Sequence, residues 1–301
     1  MSSVAATGIG RWWRDPWRKP RVLLAVTWGY LLWSIVPVLI AIAFSFNAGR
    51  SRSTWQGFSF RWWVGSPILK ESLLYSPDLR AALIQTLRLG LVTMVVSVIL
   101  GTAFAIGLDR WRGRGPGLAN FTMLLSFVIP EIIVGVSLFL FFAFFLKRVI
   151  HYFGTGTELL GLITFQISYP VIIVRARLLS IGREYEEVAM DLGGSPTQAV
   201  RRVLLPLLYP AIFASAVLVF ADTIDDFVTV NYLSGGSGTE PLSVKIYDAA
   251  RSAPTPAVNA AATFMLMSTL VAVGVGLLLY RRYARGQRKE AATQEFVGFQ
   301  V

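Results

Sequence analysis

Four acidic residues stand where an apolar sequence tolerates them poorly. Asp222, Asp225 and Asp226 fall in VFADTIDDFVTVNY, and Glu131 follows Pro130 in VIPEIIVGV. An ionised group inside a hydrophobic span is costly, so it marks either a solute pathway or a paired interior site. On one continuous helix, positions 222, 225 and 226 relate as i, i+3 and i+4, and the three carboxylates share a face within about 6 Å of axial rise. Like charges so placed repel, and a cation arriving from outside would neutralise them. Tyr169, Phe220, Phe227 and Tyr232 would add cation–π contacts if their rings line the same cavity. No basic residue lies in the apolar runs at comparable depth. Pro130 interrupts its helix and frees carbonyls beside Glu131, a pattern common where a span lines a cavity. The competing reading is that each carboxylate bonds to a neighbouring helix or to loop backbone.

Other chemistry has few residues to work with. The chain has no cysteine, hence no disulfide, thiolate nucleophile or Cys-ligated metal, and its single histidine, His151, builds no ligand cluster. No catalytic set, metal or cofactor is expected. No Gly-Lys dipeptide occurs, so a phosphate-binding loop for ATP is absent. The aspartates superficially resemble the Mg²⁺-diphosphate clusters of membrane prenyl transferases, but the second acidic motif and the phosphate-binding cations such chemistry needs are missing. An ATP-independent carrier is a further alternative, although no inverted repeat is apparent.

The elements that must position these residues are apolar spans. Hydrophobic residues make up 54% of the 301 and charged residues 15%, and the mean hydropathy is +0.59. A spanning helix takes about 20 apolar residues. Runs of that order are Val22 to Phe46, Leu89 to Leu108, Leu118 to Leu146, Leu159 to Leu179, Tyr209 to Leu233 and Val258 to Tyr280. Six transmembrane helices are therefore expected within residues 22–280, between tails at 1–21 and 281–301. The formal charge is +11, yet 18 of the 28 Lys and Arg fall in the two tails and the two segments at 110–114 and 175–202, against nine in the alternate segments. That bias puts both termini in the cytoplasm, and the scatter over four segments argues against nucleic-acid binding. The outer segment Asn47 to Arg80 carries Trp55, Phe58, Trp62 and Trp63, enough aromatics to anchor an interfacial helix.

One cytoplasmic stretch, REYEEVAMDLGGSPTQAVRRVLLPLLYP (183–210), is too organised for a linker. Glu184, Glu186 and Glu187 suit a helix N-terminus, with Val188, Ala189 and Leu192 at helical spacing. Gly193, Gly194, Ser195 and Pro196 break that helix, Ser195 caps a second with Pro196 at its first position, and Pro206 closes it. The spacing of Glu187, Val188, Ala189, Gly193, Val203, Leu205 and Pro206 resembles the EAA loop of ABC importer permeases, with Val188 and Val203 in place of the usual Ala and Ile. The resemblance implies a coupling hairpin, residues 183–208, that docks in a cytoplasmic ATPase, the subunit that would bind ATP and Mg.

Further segments, FSFN (44–47), WQGF (55–58), PEIIVGVSL (130–138), DLGGS (191–195), DDFVTVNYLSG (225–235) and PLSVKIYDAARSAPTPAVNA (241–260), are similar to the spermidine/putrescine branch of these permeases. That implies an all-α integral membrane protein with the type I importer fold, multi-pass in the bacterial inner membrane. It also implies a complex of two permease subunits, two ATPase subunits and an extracytoplasmic solute-binding protein. Glu131, Asp225 and Asp226 become path residues, with Asp222 added from helical spacing and Tyr169 as an aromatic neighbour. Related permeases for iron, thiamine or aminoethylphosphonate remain alternatives for the solute.

Overall fold

In the computed structural model, residues 21–298 are described except 52, 69, 112, 114, 116, 119–120, 123–124, 126–127, 147–151, 237 and 253–254. The N-terminal tail, His151 and the side chains beyond Arg282 lie outside the described residues. The described secondary structure is helical apart from one isolated antiparallel bridge, Asn47 with Phe58. The helices are α1 (Arg21–Ser45), α2 (Pro77–Arg110), α3 (Glu131–Phe144), α4 (Thr155–Gln166), α5 (Ser168–Ile181), α6 (Glu184–Asp191), α7 (Pro196–Ala199), α8 (Leu205–Asp225), α9 (Val228–Leu233), α10 (Leu242–Ser252) and α11 (Pro256–Gly298).

Among the described residues, five stretches are long and apolar enough to cross a membrane: α1, α2, α4 with α5 (Thr155–Ile181), α7 through α8 (Pro196–Asp225), and α11 as far as Arg282. The run expected as one helix from Leu118 to Leu146 is divided. Ile129 still donates to the Leu125 carbonyl, but Pro130 is extended (φ −57°, ψ 134°) and α3 starts afresh at Glu131 with 14 residues. Proline has no amide hydrogen to continue the ladder and its ring clashes with the preceding turn, so Glu131 lies in the first turn of a helix.

The sequence sets most boundaries visibly. The Ser76 hydroxyl accepts from the Leu79 amide, Pro77 takes the first turn with Asp78, and Arg110 ends α2 where a cation is favoured. Pro206 does not close the second arm of the hairpin as expected. The chain widens instead into a π-helical turn, Val200–Leu204, in which the Leu205 amide bonds to the Val200 carbonyl, and runs on into α8. The wider turn accommodates the proline ring one residue later, and a proline in the first turn forfeits little.

The interior is built by α2, α5 and α8. Ala105 and Leu108 of α2 pack with Val171, Val174 and Leu178 of α5 and with Leu204, Leu208 and Ala211 of the second arm and α8. Gly90 and Gly101 let the helices approach closely: a Cβ on Gly90 would lie 3.1 Å from the Phe220 ring, and one on Gly101 2.7 Å from the Pro170 Cβ. Toward the other end Leu89, Leu162, Val230 and Val244 make a second cluster. α11 packs on α8 and on α1, whose apolar side chains are otherwise exposed, as a lipid-facing helix requires.

The segment between α1 and α2 contains no interfacial helix among its described residues. Asn47 is buried and organises the turn, donating from Nδ2 to the carbonyls of Ser51 and Thr54, both at 3.1 Å, and accepting from the Gln56 amide at 2.8 Å. Trp62 is also buried and donates from Nε1 to the Asn47 carbonyl at 2.7 Å, while Phe46 stacks on Phe58 and Trp63. Arg50 and Arg61 both pair with Glu71. The aromatics therefore form a small folded unit, because an asparagine able to satisfy several loop backbone groups fixes it locally.

Candidate functional site

The four carboxylates singled out in the sequence come together with Tyr169, though not as one helical face. α8 ends at Asp225, and Asp226 is extended (φ −60°, ψ 116°). Its Oδ1 accepts the Thr229 amide at 2.9 Å, capping α9, and its carbonyl accepts the Ser243 hydroxyl at 2.8 Å. Asp226 thus serves a local backbone role that an uninterrupted helix from Tyr209 to Leu233 would have denied it. Asp222, half-buried, is held by two donors. Nε2 of the buried Gln166 lies 2.7 Å from its Oδ2, and the Tyr169 hydroxyl bonds to the same carboxylate. Glu131 is exposed and within electrostatic reach of Asp222, Asp225 and Asp226.

Asp225 is exposed and accepts no hydrogen bond among the described residues. With Asp222 it lines a cleft of about 840 Å³ whose walls include Phe227, Ser243, Tyr247 and Met265. Tyr247 packs on Phe227, ring centroids 4.3 Å apart, and the Arg251 guanidinium stands 4.4 Å above the Tyr247 ring. α10 is held in place by the Leu242 amide, which donates to Thr86 Oγ1 of α2 at 2.8 Å, and by the Ser243 bond to Asp226. Carboxylates beside aromatic faces suit an organic cation, which gains ion pairing at its ends and π contact along its length. Of the four expected aromatics only Phe227 lines this cleft, and Tyr169 is tied to it only through its bond to Asp222. Phe220 is buried against Gly90, and Tyr232 packs over Gly135 of α3.

Three participants were not singled out in the sequence. Tyr247 and Ser243 follow helical spacing in PLSVKIYDAARS, a signal that assigns them to one face but not to the acidic cluster. Gln166 offers no signal, since its role depends on the approach of α4 to α8. A further carboxylate, Glu158, is fully buried, with Gln85 Nε2 of α2 at 2.6 Å from its Oε2. It lies two turns from Gln166, about 12 Å along the helix.

At the other end of α8, the hairpin has the expected helix, turn and helix. α6 terminates in a Schellman arrangement. The Gly194 amide bonds to the Ala189 carbonyl at 3.1 Å and the Gly193 amide to that of Met190 at 2.9 Å, with Gly193 at φ 88°. That left-handed conformation favours glycine. Ser195 and Gln198 cap α7 reciprocally, at 3.3 Å from the Gln198 amide to Ser195 Oγ and 3.0 Å from the Ser195 amide to Gln198 Oε1. Val188 and Leu192 are exposed, the latter by 84%, while Glu186 is buried, at 5%. The amphipathic pattern in the sequence thus turns its apolar side outward. Glu187 is exposed beside it, Ala189 is half-buried, and Val203, Leu205 and Pro206 sit half-buried at the root of the second arm.

Residues 97–289 match the family model described as the binding-protein-dependent transport system inner membrane component. The chain is 31% identical over 279 residues to the putrescine transport system permease protein PotI of Escherichia coli strain K12, covering 92% of this chain and 94% of that protein. It is also 31% identical over 257 residues to the spermidine/putrescine transport system permease protein PotC of Haemophilus influenzae, covering 85% and 94%. Among solved structures, a chain of a bacterial alginate ABC transporter, in complex with an alginate pentasaccharide-bound periplasmic protein, superimposes with a TM-score of 0.69. That match has 18% identity and covers 87% of this chain and 94% of the other. The fold is that of type I ABC importer permeases, and the exposed hairpin and acidic cleft lie on a scaffold that two independent kinds of similarity identify. The chain belongs to the binding-protein-dependent transport system inner membrane components, as a multi-pass permease subunit of the bacterial inner membrane rather than an enzyme.

Proposed function

We propose that this permease carries polyamines, spermidine or putrescine, delivered by an extracytoplasmic binding protein, and that Glu131, Asp222, Asp225, Asp226 and Tyr169 form its cation path. The observation that carries the reading is the convergence of four carboxylates on one region, with Asp222 and Asp225 lining an aromatic-walled cleft. The relatives that transport putrescine and spermidine support the same solute class. Asp225, which lines the cleft and accepts no hydrogen bond among the described residues, meets the first amine, Asp222 is oriented by Gln166 and Tyr169, and Asp226 adds charge while holding α9.

The hairpin, Glu187 through Pro206, is the docking element for a cytoplasmic ATPase, with Val188 and Leu192 entering an apolar cleft of that subunit and α8 carrying the motion toward Asp222. Its 21 residues span about 30 Å. The complete importer contains two permease subunits in a heterodimer, two ATPase subunits that bind ATP and Mg, and the binding protein. Residues 22–280 form the membrane domain of this chain. Uptake of labelled spermidine by cells bearing Asp225→Asn tests the path: the substitution keeps side-chain shape and removes charge, and uptake should fall at limiting substrate. Unchanged uptake and unchanged concentration dependence in Asp225→Asn combined with Glu131→Gln would overturn it.

A further inference from the structure

The end of α2 and the start of the hairpin are joined by side chains that lie 74 and 76 residues apart in the chain. Arg110, the last residue of α2, pairs through Nη2 with Oε2 of Glu186. Arg183, immediately before α6, donates from Nη2 to the Asp109 carbonyl and lies 3.4 Å from Asp109 Oδ2. Arg110 Nε is 3.9 Å from that same oxygen, which closes the set into one network.

Glu186 is the informative member. Its neighbours Glu184 and Glu187 are exposed, as a helix N-terminus permits, but Glu186 is 5% exposed. A carboxylate at such a site adds little stability over a well-packed apolar pair, and its best-attested use is to fix one register between elements. Arg183 adds to this by satisfying a carbonyl in the last turn of α2, which helix geometry otherwise leaves without an intrahelical partner. The attachment also has somewhere to lead. α2 meets α8 closely at Gly90, where a Cβ would lie 3.1 Å from Phe220 and 3.2 Å from Ile224, the residues two before and two after Asp222.

We infer that Asp109, Arg110, Arg183 and Glu186 are positioning residues that clamp α2 to the hairpin, so that displacement of the hairpin reaches the acidic cleft through α2 as well as through α8. This rests on the hairpin being the ATPase contact. The test uses the complete complex with its ATPase and binding protein in proteoliposomes, with spermidine uptake and ATP hydrolysis measured in the same vesicles. In the wild-type complex the ATPase should co-purify and hydrolyse ATP; its absence would overturn the hairpin reading itself, and the clamp with it. Given that activity, Glu186→Gln and Arg110→Glu should keep hydrolysis within about twofold while uptake per ATP falls by about tenfold, and the charge exchange Arg110→Glu with Glu186→Arg should recover most of the loss. If Arg110→Glu fails to assemble, Glu186→Gln, which preserves side-chain shape, supplies the same readout. Unchanged uptake per ATP in the single variants, or a double variant no better than either, would overturn the clamp.

Discussion

Asp225 and Asp226 are adjacent carboxylates with different tasks. Asp226 accepts the Thr229 amide and so fixes the turn into α9, whereas Asp225 faces the cleft. Replacing Asp226 by Ala removes a cap and should lower stability by about 1 kcal/mol, visible as a reduced unfolding temperature of the purified complex in detergent. Asp226→Asn keeps the acceptor and should unfold with the wild type; equal losses for Ala and Asn would show that the cap is not what stabilises this turn. Asp225→Asn should leave that temperature unchanged and affect uptake alone. The types of these residues were legible in the sequence, since charge in an apolar run stands out. Asp222 and Asp225 do share α8 and its cleft, but Asp226 does not join them, because i, i+3, i+4 reasoning assumes continuity and the chain leaves the helix after Asp225. The two bonds to Asp222, from Gln166 and Tyr169, belong to the approach of separate helices, and single-chain spacing carries no information about it.

At the scale of elements, the hairpin was the most legible feature. Ser195 and Pro196 announce a capped start, and the Gly193–Gly194 pair announces a turn, so the arms and the tip follow from local rules. Which face is covered did not follow: helical spacing groups Val188 with Leu192 but does not tell that they are exposed while Glu186 is buried. A carboxylate goes inside there because Arg110 waits at the end of α2, a partner that only the tertiary fold supplies. The exposed pair predicts that Val188→Glu with Leu192→Glu abolishes co-purification of the ATPase while membrane insertion and thermal stability of the permease persist. Retained co-purification would place the ATPase elsewhere. Gly193, at φ 88°, should not accept a side chain without strain: Gly193→Val destabilises the tip by about 1–2 kcal/mol, measured as faster proteolytic nicking at the turn. The π-helical turn before Pro206 was illegible, since proline signals a stop as readily as it signals the first turn of a new helix.

Over the whole molecule, apolar runs located most of the helices that can cross a membrane, because a span must be long and hydrophobic wherever it packs. The run around Pro130 is the exception in form, dividing at that proline so that Glu131 opens α3. The long α8 connects the two ends that matter, with the hairpin at its start and the acidic cleft at its finish. Gly90, Gly101 and the core around Leu178 and Leu208 hold α2, α5 and α8 together. Motion imposed at the hairpin thus has a packed route to Asp222 and Asp225. Filling that route should cost function: Gly90→Leu drives a side chain into Phe220 and Ile224 and should destabilise the permease by about 1–3 kcal/mol.

The central claim is that hydrolysis by a docked ATPase is tied to a polyamine at the acidic cleft. It is tested most directly by the ATPase activity of the co-expressed complex in nanodiscs with its binding protein, against spermidine, putrescine, ferric iron and thiamine. The account predicts stimulation by spermidine or putrescine and none by the other two, with the stimulation diminished in Asp225→Asn. Stimulation by iron or thiamine alone would contradict the assignment of the cleft to polyamines, and a complex that recovers no ATPase would contradict the role of the hairpin.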